Sequence, residues 1–307
     1  MKNDRVRNLL RALRVNQWIK NFIVFTAIIF SGELFDPNVF LPTLYAFFVF
    51  CLLSSSSYVL NDIIDFPYDR KHPVKKHRPI ASGAISIPEA TFIVFILSLL
   101  SLILSLFFSV PFFFMSLLFI LLHFFYSLYL KKFPVIDIFA ISFSFMIRAL
   151  AGEVVSGFHI PIWLLFTIFF LSLFMAAVKR HAELVVHGQE TRESLYRYKE
   201  HLLDFLTNTF ATATIIAYAT YTYAEKPTQS SNLVSTFFTT DLFPTFEARK
   251  WMMITIPFVV YGIARYAQLL YEKAEGEQPE KLITSDVPLI ITVLLWGLFI
   301  VSLIYVF

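Results

Sequence analysis

The chain has 307 residues and a formal net charge of +3, with 57% hydrophobic and only 15% charged residues. That balance and a mean hydropathy of +0.68 exclude an ordinary soluble domain and leave a membrane protein. No nucleic-acid partner is expected, and the lone Cys51 excludes an intramolecular disulfide and reads as a packed thiol.

Runs of about 20 apolar residues cross a bilayer as helices. Nine such runs follow one another, at residues 18–35, 39–60, 88–110, 111–130, 134–156, 160–178, 204–224, 251–271 and 287–307. The expected fold is all-α: a polytopic membrane bundle of nine transmembrane helices, one integral-membrane domain over residues 1–307. With the N-terminus cytosolic, the Lys and Arg residues fall on the N-terminal arm and the even-numbered loops. The exceptions are Lys226, Arg249 and Lys250 outside, and Arg148 and Arg265 within spans. The positive-inside rule then places the C-terminus outside, and the chain is expected in the inner (cytoplasmic) membrane. No cleaved signal peptide is expected, since the first apolar run lacks a small-residue cleavage site and opens a series of spans.

The arm, residues 1–17, carries Lys2, Arg5, Arg7, Arg11 and Arg14, with Val6, Leu9, Leu10 and Leu13 at helical spacing. It suits an amphipathic helix on an anionic membrane surface. Trp18 marks the interface, and Lys20 and Asn21 follow at the mouth of the first span. Lys20 is either a snorkelling anchor or a substrate contact.

The second span ends in Ser54 to Ser57, small polar residues that admit a neighbouring helix or a ligand. The stretch NDIIDFPYDRKHPVKKHRPIASG then runs from Asn61 to Gly83. Spacings of three and four put Asp62, Asp65 and Asp69 on one helical face, where Tyr58 also points. Pro67 is expected to interrupt that helix. Stacked carboxylates repel unless something positive sits between them, and a hard cation is the ordinary solution. Magnesium takes one or two carboxylates and lets substrate phosphates supply the rest, so this stretch reads as a magnesium-diphosphate cradle; the bland alternative is a solvated loop of mixed charge. Pro73, Pro79 and Ser82-Gly83 break helix continuity in residues 61–84, a cytosolic active-site loop. Ser86 with Glu89 forms a capping box for the third span.

Spans three and four are rich in Phe and Leu on all sides and face lipid or pack within the bundle. His123 inside span four reads as a hydrogen-bonded structural histidine, and Lys131 and Lys132 close that helix. Span five holds Asp137, a partner for a loop lysine, and Arg148. A guanidinium at mid-membrane costs about 2.5 to 3.5 kcal/mol unless it faces a wet cavity or a partner, so Arg148 is a functional residue or half of a structural ion pair. After span six, residues 179–203 form a second active-site loop that includes Lys179, Arg180, Glu183 and Arg192. Lys179 and Glu183 share a helical face, as do Glu183 and His187, but no HExxH zinc signature is present. Leu195, Tyr198, Leu202 and Phe205 make an apolar stripe on an amphipathic helix over the cytosolic mouth. The outer loop, residues 225–250, carries no catalytic signal. Arg265 in span eight reads as snorkelling or functional. The last inner loop, with Glu272, Glu275, Glu277, Glu280 and Asp286, is the most acidic part of the inner face.

Magnesium held by carboxylates makes diphosphate a better leaving group. Positive charge then builds on carbon, which fits an allylic prenyl diphosphate or phosphoribosyl pyrophosphate. A phosphoribosyl donor carries a further phosphate and a lipid-phosphate acceptor one more, so cations are needed twice over. Lys75, Lys76 and Arg78 on the first loop and Lys179, Arg180 and Arg192 on the second supply them. An acceptor that is already an anion needs no strong general base.

The pattern N-D-x-x-D-x-x-x-D at Asn61, Asp62, Asp65 and Asp69, on nine spans, resembles the UbiA superfamily of intramembrane prenyltransferases over nearly the whole chain. Typical prenyl-transferring members carry a second motif, D-x-x-x-D, where this chain reads KRHAEL, followed by Arg192, Leu195 and Tyr198. That departure, with NQWIKN at Asn16 to Asn21, KKHRPIASG at Lys75 to Gly83 and GEQPEKLITSDVPL near the end, is similar to the decaprenyl-phosphate phosphoribosyltransferase branch. The resemblance implies transfer of phosphoribose from phosphoribosyl pyrophosphate to a polyprenyl phosphate, with magnesium, on the cytosolic face, for lipid-linked pentose donors of envelope polysaccharide. It implies Asp62, Asp65 and Asp69 as the catalytic and metal-holding residues. Candidate substrate contacts are Lys20, Tyr58, Asn61, Lys75, Arg78, Arg148, Lys179, Arg180, Glu183, Arg192 and Tyr198. A homo-oligomer is left open, and the other readings are aromatic prenyl transfer and a non-enzymatic lipid transporter.

Overall fold

The computed structural model describes residues 2–72, 74–187, 198, 200–225, 248–273 and 285–305, and among these every regular element is helical. In chain order the main ones are α1 (Lys2–Leu13), a 3-10 segment (Val15–Phe25), α2 (Thr26–Phe30), α3 (Pro37–Asp69), α4 (Ile87–Phe108), α5 (Val110–Leu128), α6 (Ile136–Ser156), α7 (Ile162–His187), α8 (Glu200–Ala224), α9 (Ile256–Lys273) and α10 (Val287–Tyr305), with shorter 3-10 turns at Lys75–His77, Leu130–Lys132 and Ala248–Thr255. Helices suit lipid because they satisfy every backbone N–H and C=O internally. Eight stretches of the described residues are long and apolar enough to span a membrane. Arg192, Leu195, Glu275, Glu277, Glu280 and residues 226–247 lie outside the described residues.

Two compact units are present: Met1–Thr26, Pro37–Ala140 and Ile147–Gly157 in one, and Ala27–Asp36, Ile141–Met146 and Phe158–Phe307 in the other. In the first, α3 packs against α4, α5 and the 3-10 segment, over a core of Val24, Val49, Phe50, Leu53, Phe112, Phe119 and Ile147. The four serines of α3 each address a different neighbour. Ser54 bonds Asn21 at 3.1 Å, Ser55 the Leu13 carbonyl at 2.9 Å, Ser56 the Ser98 hydroxyl at 2.7 Å, and Ser57 the Leu53 carbonyl of its own helix at 2.9 Å. Only 11% of the most apolar window of α4 is buried against 50% for α3, which assigns α4 the lipid-facing position.

The first apolar run departs from the expected long helix at residues 18–35. It winds as a 3-10 segment through Phe25 and then as the short α2. Three residues per turn put Asn21 and Val24 on one buried line and leave Ile19 and Phe22 on an exposed one. The close seat of α6 accompanies this winding, because a Cβ on Gly152 would lie 1.9 Å from the Val24 carbonyl oxygen. Glycine is required there although it weakens a helix.

Helix α3 runs 33 residues, to Asp69, which is about 50 Å of helix against a hydrocarbon core of about 30 Å. Its carboxylate end therefore stands beyond the apolar slab. Pro67 does not interrupt it, although its ring removes the helical bond to the Ile63 carbonyl; only two residues follow it before the helix ends at Asp69. The Ser86 hydroxyl accepts the Glu89 N–H at 3.4 Å, but the Glu89 carboxylate turns to Arg5 at 2.8 Å, so the capping box is half formed.

In the second unit α7 packs along α8, and α9 against α10. Tyr218 links them, its hydroxyl 2.6 Å from Thr255 and accepting the Trp296 indole N–H at 2.8 Å. Arg265 clamps Asp286 through two bonds of 3.1 and 2.7 Å, and Asp286 caps α10 by accepting the Leu289 N–H at 3.0 Å. Arg265 is therefore an ion-pair partner rather than a snorkelling side chain.

Candidate active site

Seven residues bring a helix position back to within about 20° of its starting direction, while three leave it about 60° away. The three aspartates separate accordingly. Asp62 and Asp69 are 3% and 4% exposed and converge on a single nitrogen: Arg78 Nη1 lies 3.0 Å from Asp62 Oδ1 and 2.7 Å from Asp69 Oδ2. Asp65 turns elsewhere, accepting from Lys131 Nζ at 2.5 Å and from Asn61 Nδ2 at 2.8 Å, and Lys131 also donates to Asn61 Oδ1 at 3.1 Å. Among the described residues no three His, Cys, Asp or Glu side chains meet at a common point. Two of the three aspartates, Asp62 and Asp69, thus converge on one nitrogen, and Asp65 stands beside them on another.

The loop after α3 delivers Arg78 to this point. His72, buried, accepts the N–H groups of Val74 and Lys75 through Nδ1 at 3.2 Å each, and the short 3-10 turn Lys75–His77 ends with the Arg78 N–H on the Lys75 carbonyl at 2.9 Å. Lys75 is half-buried in that turn. From the other side comes Arg14, whose Nη2 donates to Asp62 Oδ1 at 2.6 Å and whose guanidinium lies 5.0 Å from the centre of the Tyr58 ring.

Ser54, Tyr58 and Asp62 succeed one another at four-residue steps on α3, so a polar line descends about 12 Å from the carboxylates. At its foot lies Arg148, 3% exposed. Its Nε donates to Asn21 Oδ1 at 2.8 Å, its Nη2 lies 3.4 Å from the Ser54 hydroxyl, and its guanidinium sits 4.6 Å over the Phe119 ring. Asn21 Nδ2 completes the cluster on Cys51 Sγ at 3.4 Å. Cation–π contact and oriented dipoles replace part of the hydration a buried guanidinium loses. His123 stacks on the other neighbourhood of Phe119, at 4.3 Å between ring centres, and its buried Nε2 has no hydrogen-bond partner among the described residues, so it packs rather than bonds there. Asp137 is buried in the first turn of α6, where a carboxylate favours the helix dipole. Lys20 is half-buried on the 3-10 segment.

In the second unit Arg180, 1% exposed, donates through Nη1 to Glu183, one turn along α7. Glu183 thus pairs with Arg180, and Lys179, one turn from Glu183, is half-buried. His181 Nδ1 lies 3.6 Å from Asp204 Oδ1, and Tyr198 is fully buried.

Arg14, Asn21 and Lys131 are the contributors that residue patterns did not single out. Arg14 is one of five cations on an amphipathic arm and Lys131 one of two at a helix end, so neither carries a local mark. Asn21 had one: an amide on an apolar run needs a partner.

The donor set fits a hard divalent cation. Two carboxylate oxygens of a nearly buried pair meet at one place, a positively charged nitrogen already stands there, and only oxygen ligands are offered.

A family model described as the UbiA prenyltransferase family matches residues 21–184. Decaprenyl-phosphate phosphoribosyltransferase of Corynebacterium glutamicum is 34% identical to this chain, covering 97% of it and 87% of that protein. The protein of the same name from Mycolicibacterium smegmatis is 34% identical, covering 95% and 90%. A UbiA homologue from Archaeoglobus fulgidus, solved with GPP and Mg2+, has the same fold at a TM-score of 0.70 and 19% identity, covering 97% of this chain and 99% of that one.

Proposed function

Because this chain belongs to the UbiA prenyltransferase family, we propose that it transfers phosphoribose from phosphoribosyl pyrophosphate to a polyprenyl phosphate of the decaprenyl type and releases diphosphate. The observation that carries this reading is the Asp62 and Asp69 pair converging on a cation in a chain 34% identical to two phosphoribosyltransferases. The segment KRHAEL from Lys179 to Leu184 lacks the aspartate pair expected there of prenyl-transferring members and carries cations instead, which supports a donor with a further phosphate over an allylic diphosphate.

Asp62 and Asp69 would hold magnesium, with Asp65 kept beside them by Lys131 and Asn61. When bound, the ion supplies charge neutralisation that makes diphosphate a better leaving group. Arg78 and Arg14 lie within reach of the same point and serve the diphosphate oxygens bidentately. The bond from the anomeric carbon to the diphosphate oxygen breaks, the electron pair leaves with diphosphate, and an oxygen of the lipid phosphate forms the new bond. No proton has to be removed from that acceptor. Arg148 and the polar line above it offer a place for a further phosphate. The charge distribution of the loops supports a cytosolic position for this face with the N-terminus inside, in a chain of the inner membrane.

Purified protein given radiolabelled phosphoribosyl pyrophosphate and decaprenyl phosphate should yield a labelled lipid only when magnesium is present. If no lipid is labelled while a prenyl diphosphate reacts with an aromatic acceptor, the chain is instead a prenyltransferase.

A further inference from the structure

Asp62 is approached by two arginines from distant parts of the chain, Arg14 at 2.6 Å and Arg78 at 3.0 Å, both on Oδ1. Arg78 reaches Asp69 as well, at 2.7 Å. Two carboxylates and two guanidinium groups therefore balance in charge. A bare divalent cation arriving here meets two positive groups already on the oxygens it needs, and it brings an excess of positive charge to a nearly buried place. A cation arriving with a diphosphate differs, because the anion gives each arginine a new bidentate partner.

The two sides of the contact are unequally fixed. Asp62 keeps 3% of its side chain exposed, whereas Arg14 and Arg78 keep 26% and 27%. The carboxylate is anchored in a helix while the cations border solvent. Arg14 also holds a left-handed backbone, φ 50 and ψ 49, between α1 and the 3-10 segment. A residue with a Cβ resists that conformation, and here it swings the side chain onto Asp62 and over Tyr58. An arginine in a strained hinge, on a carboxylate it shares, is placed for exchange of partners.

We infer that Arg14 and Arg78 are built-in counter-ions that bar the Asp62 and Asp69 pair to a bare divalent cation and yield it to a cation that arrives with a diphosphate-bearing ligand. Metal and donor then load together. Arg14 is a positioning residue in this scheme until the anion arrives and a diphosphate contact afterwards. The inference rests on the magnesium and diphosphate reading proposed above.

Equilibrium dialysis of the purified full chain against manganese, with and without inorganic diphosphate, tests it. The wild-type chain is expected to retain manganese at least about tenfold more tightly when diphosphate is present. Arg14→Gln is expected to tighten manganese binding without diphosphate by about tenfold and to shrink the gap between the two conditions. Arg78→Gln, altered on a different segment, acts in the same direction, so the test does not depend on one variant folding. Wild-type binding that is equal in both conditions, or both variants unchanged without diphosphate, overturns the counter-ion role and leaves the metal site standing. No retention of manganese in any condition overturns the metal reading and the inference together.

Discussion

At the end of α3, carboxylates 3% and 4% exposed are matched by arginines that keep about a quarter of their side-chain surface. About two turns deeper the order is reversed. There a guanidinium, Arg148, is 3% exposed and its described contacts are an amide, a hydroxyl and a ring face. In the first cluster charge meets charge, and the arginines border water. In the second a charge is set among dipoles packed into the core, where a change of partner would leave it uncompensated at a cost of several kcal/mol.

The sharpest way to break this contrast is Asp62→Asn. It removes the negative charge that both arginines share, and turnover is expected to fall by about a thousandfold, the loss seen when a preorganised polar group at a reacting centre is deleted. The melting temperature should change little, because Arg14 and Arg78 reach water once released. Turnover within tenfold of wild type in the labelled-lipid assay would remove the Asp62 and Asp69 pair from the reaction.

Gly152→Ala addresses the second cluster without touching a polar group. The added carbon meets the Val24 carbonyl oxygen, a backbone atom, at 1.9 Å, so either α6 or the 3-10 segment must shift. Asn21 sits on that segment and Arg148 one turn from Gly152, so their bond is strained together with the packing. The expected cost is about 3 kcal/mol of stability, read as a lowered melting temperature in detergent. An unchanged melt would show that the two backbones separate freely and that Arg148 is not held by this seat.

Much of the architecture was legible because hydropathy and helical spacing are local properties. Eight spans, the Asn61 to Asp69 motif and the Ser86 cap all follow from residues within a few positions of one another. The winding of the first apolar run was not, since hydropathy counts apolar residues without distinguishing three from 3.6 per turn, and a glycine on α6 lies against it. The partners of the aspartates escaped for a related reason. Arg14 is 48 residues from Asp62 and Lys131 is 66 from Asp65, so their roles are set by how α1 and the end of α5 are folded back onto α3. Spacing did put three carboxylates toward one face, but it did not show that Asp65 meets Lys131 and Asn61 while Asp62 and Asp69 share Arg78, because a three-residue step leaves a side chain well off the line that a seven-residue step restores.

That last difference sets the smallest of the expected effects. If Asp65 stood with Asp62 and Asp69 on one ion, Asp65→Asn and Asp62→Asn would be equally damaging. In the structure Asp65 is held by Lys131 and Asn61, and its service to the pair is to place those two groups. Loss of such a supporting contact lowers activity by about tenfold, because the amide oxygen introduced by Asp65→Asn can still accept from Lys131. The labelled-lipid assay separates the alternatives directly: a loss as deep as that of Asp62→Asn puts three carboxylates on the reacting ion, whereas a loss about a hundred times shallower leaves two.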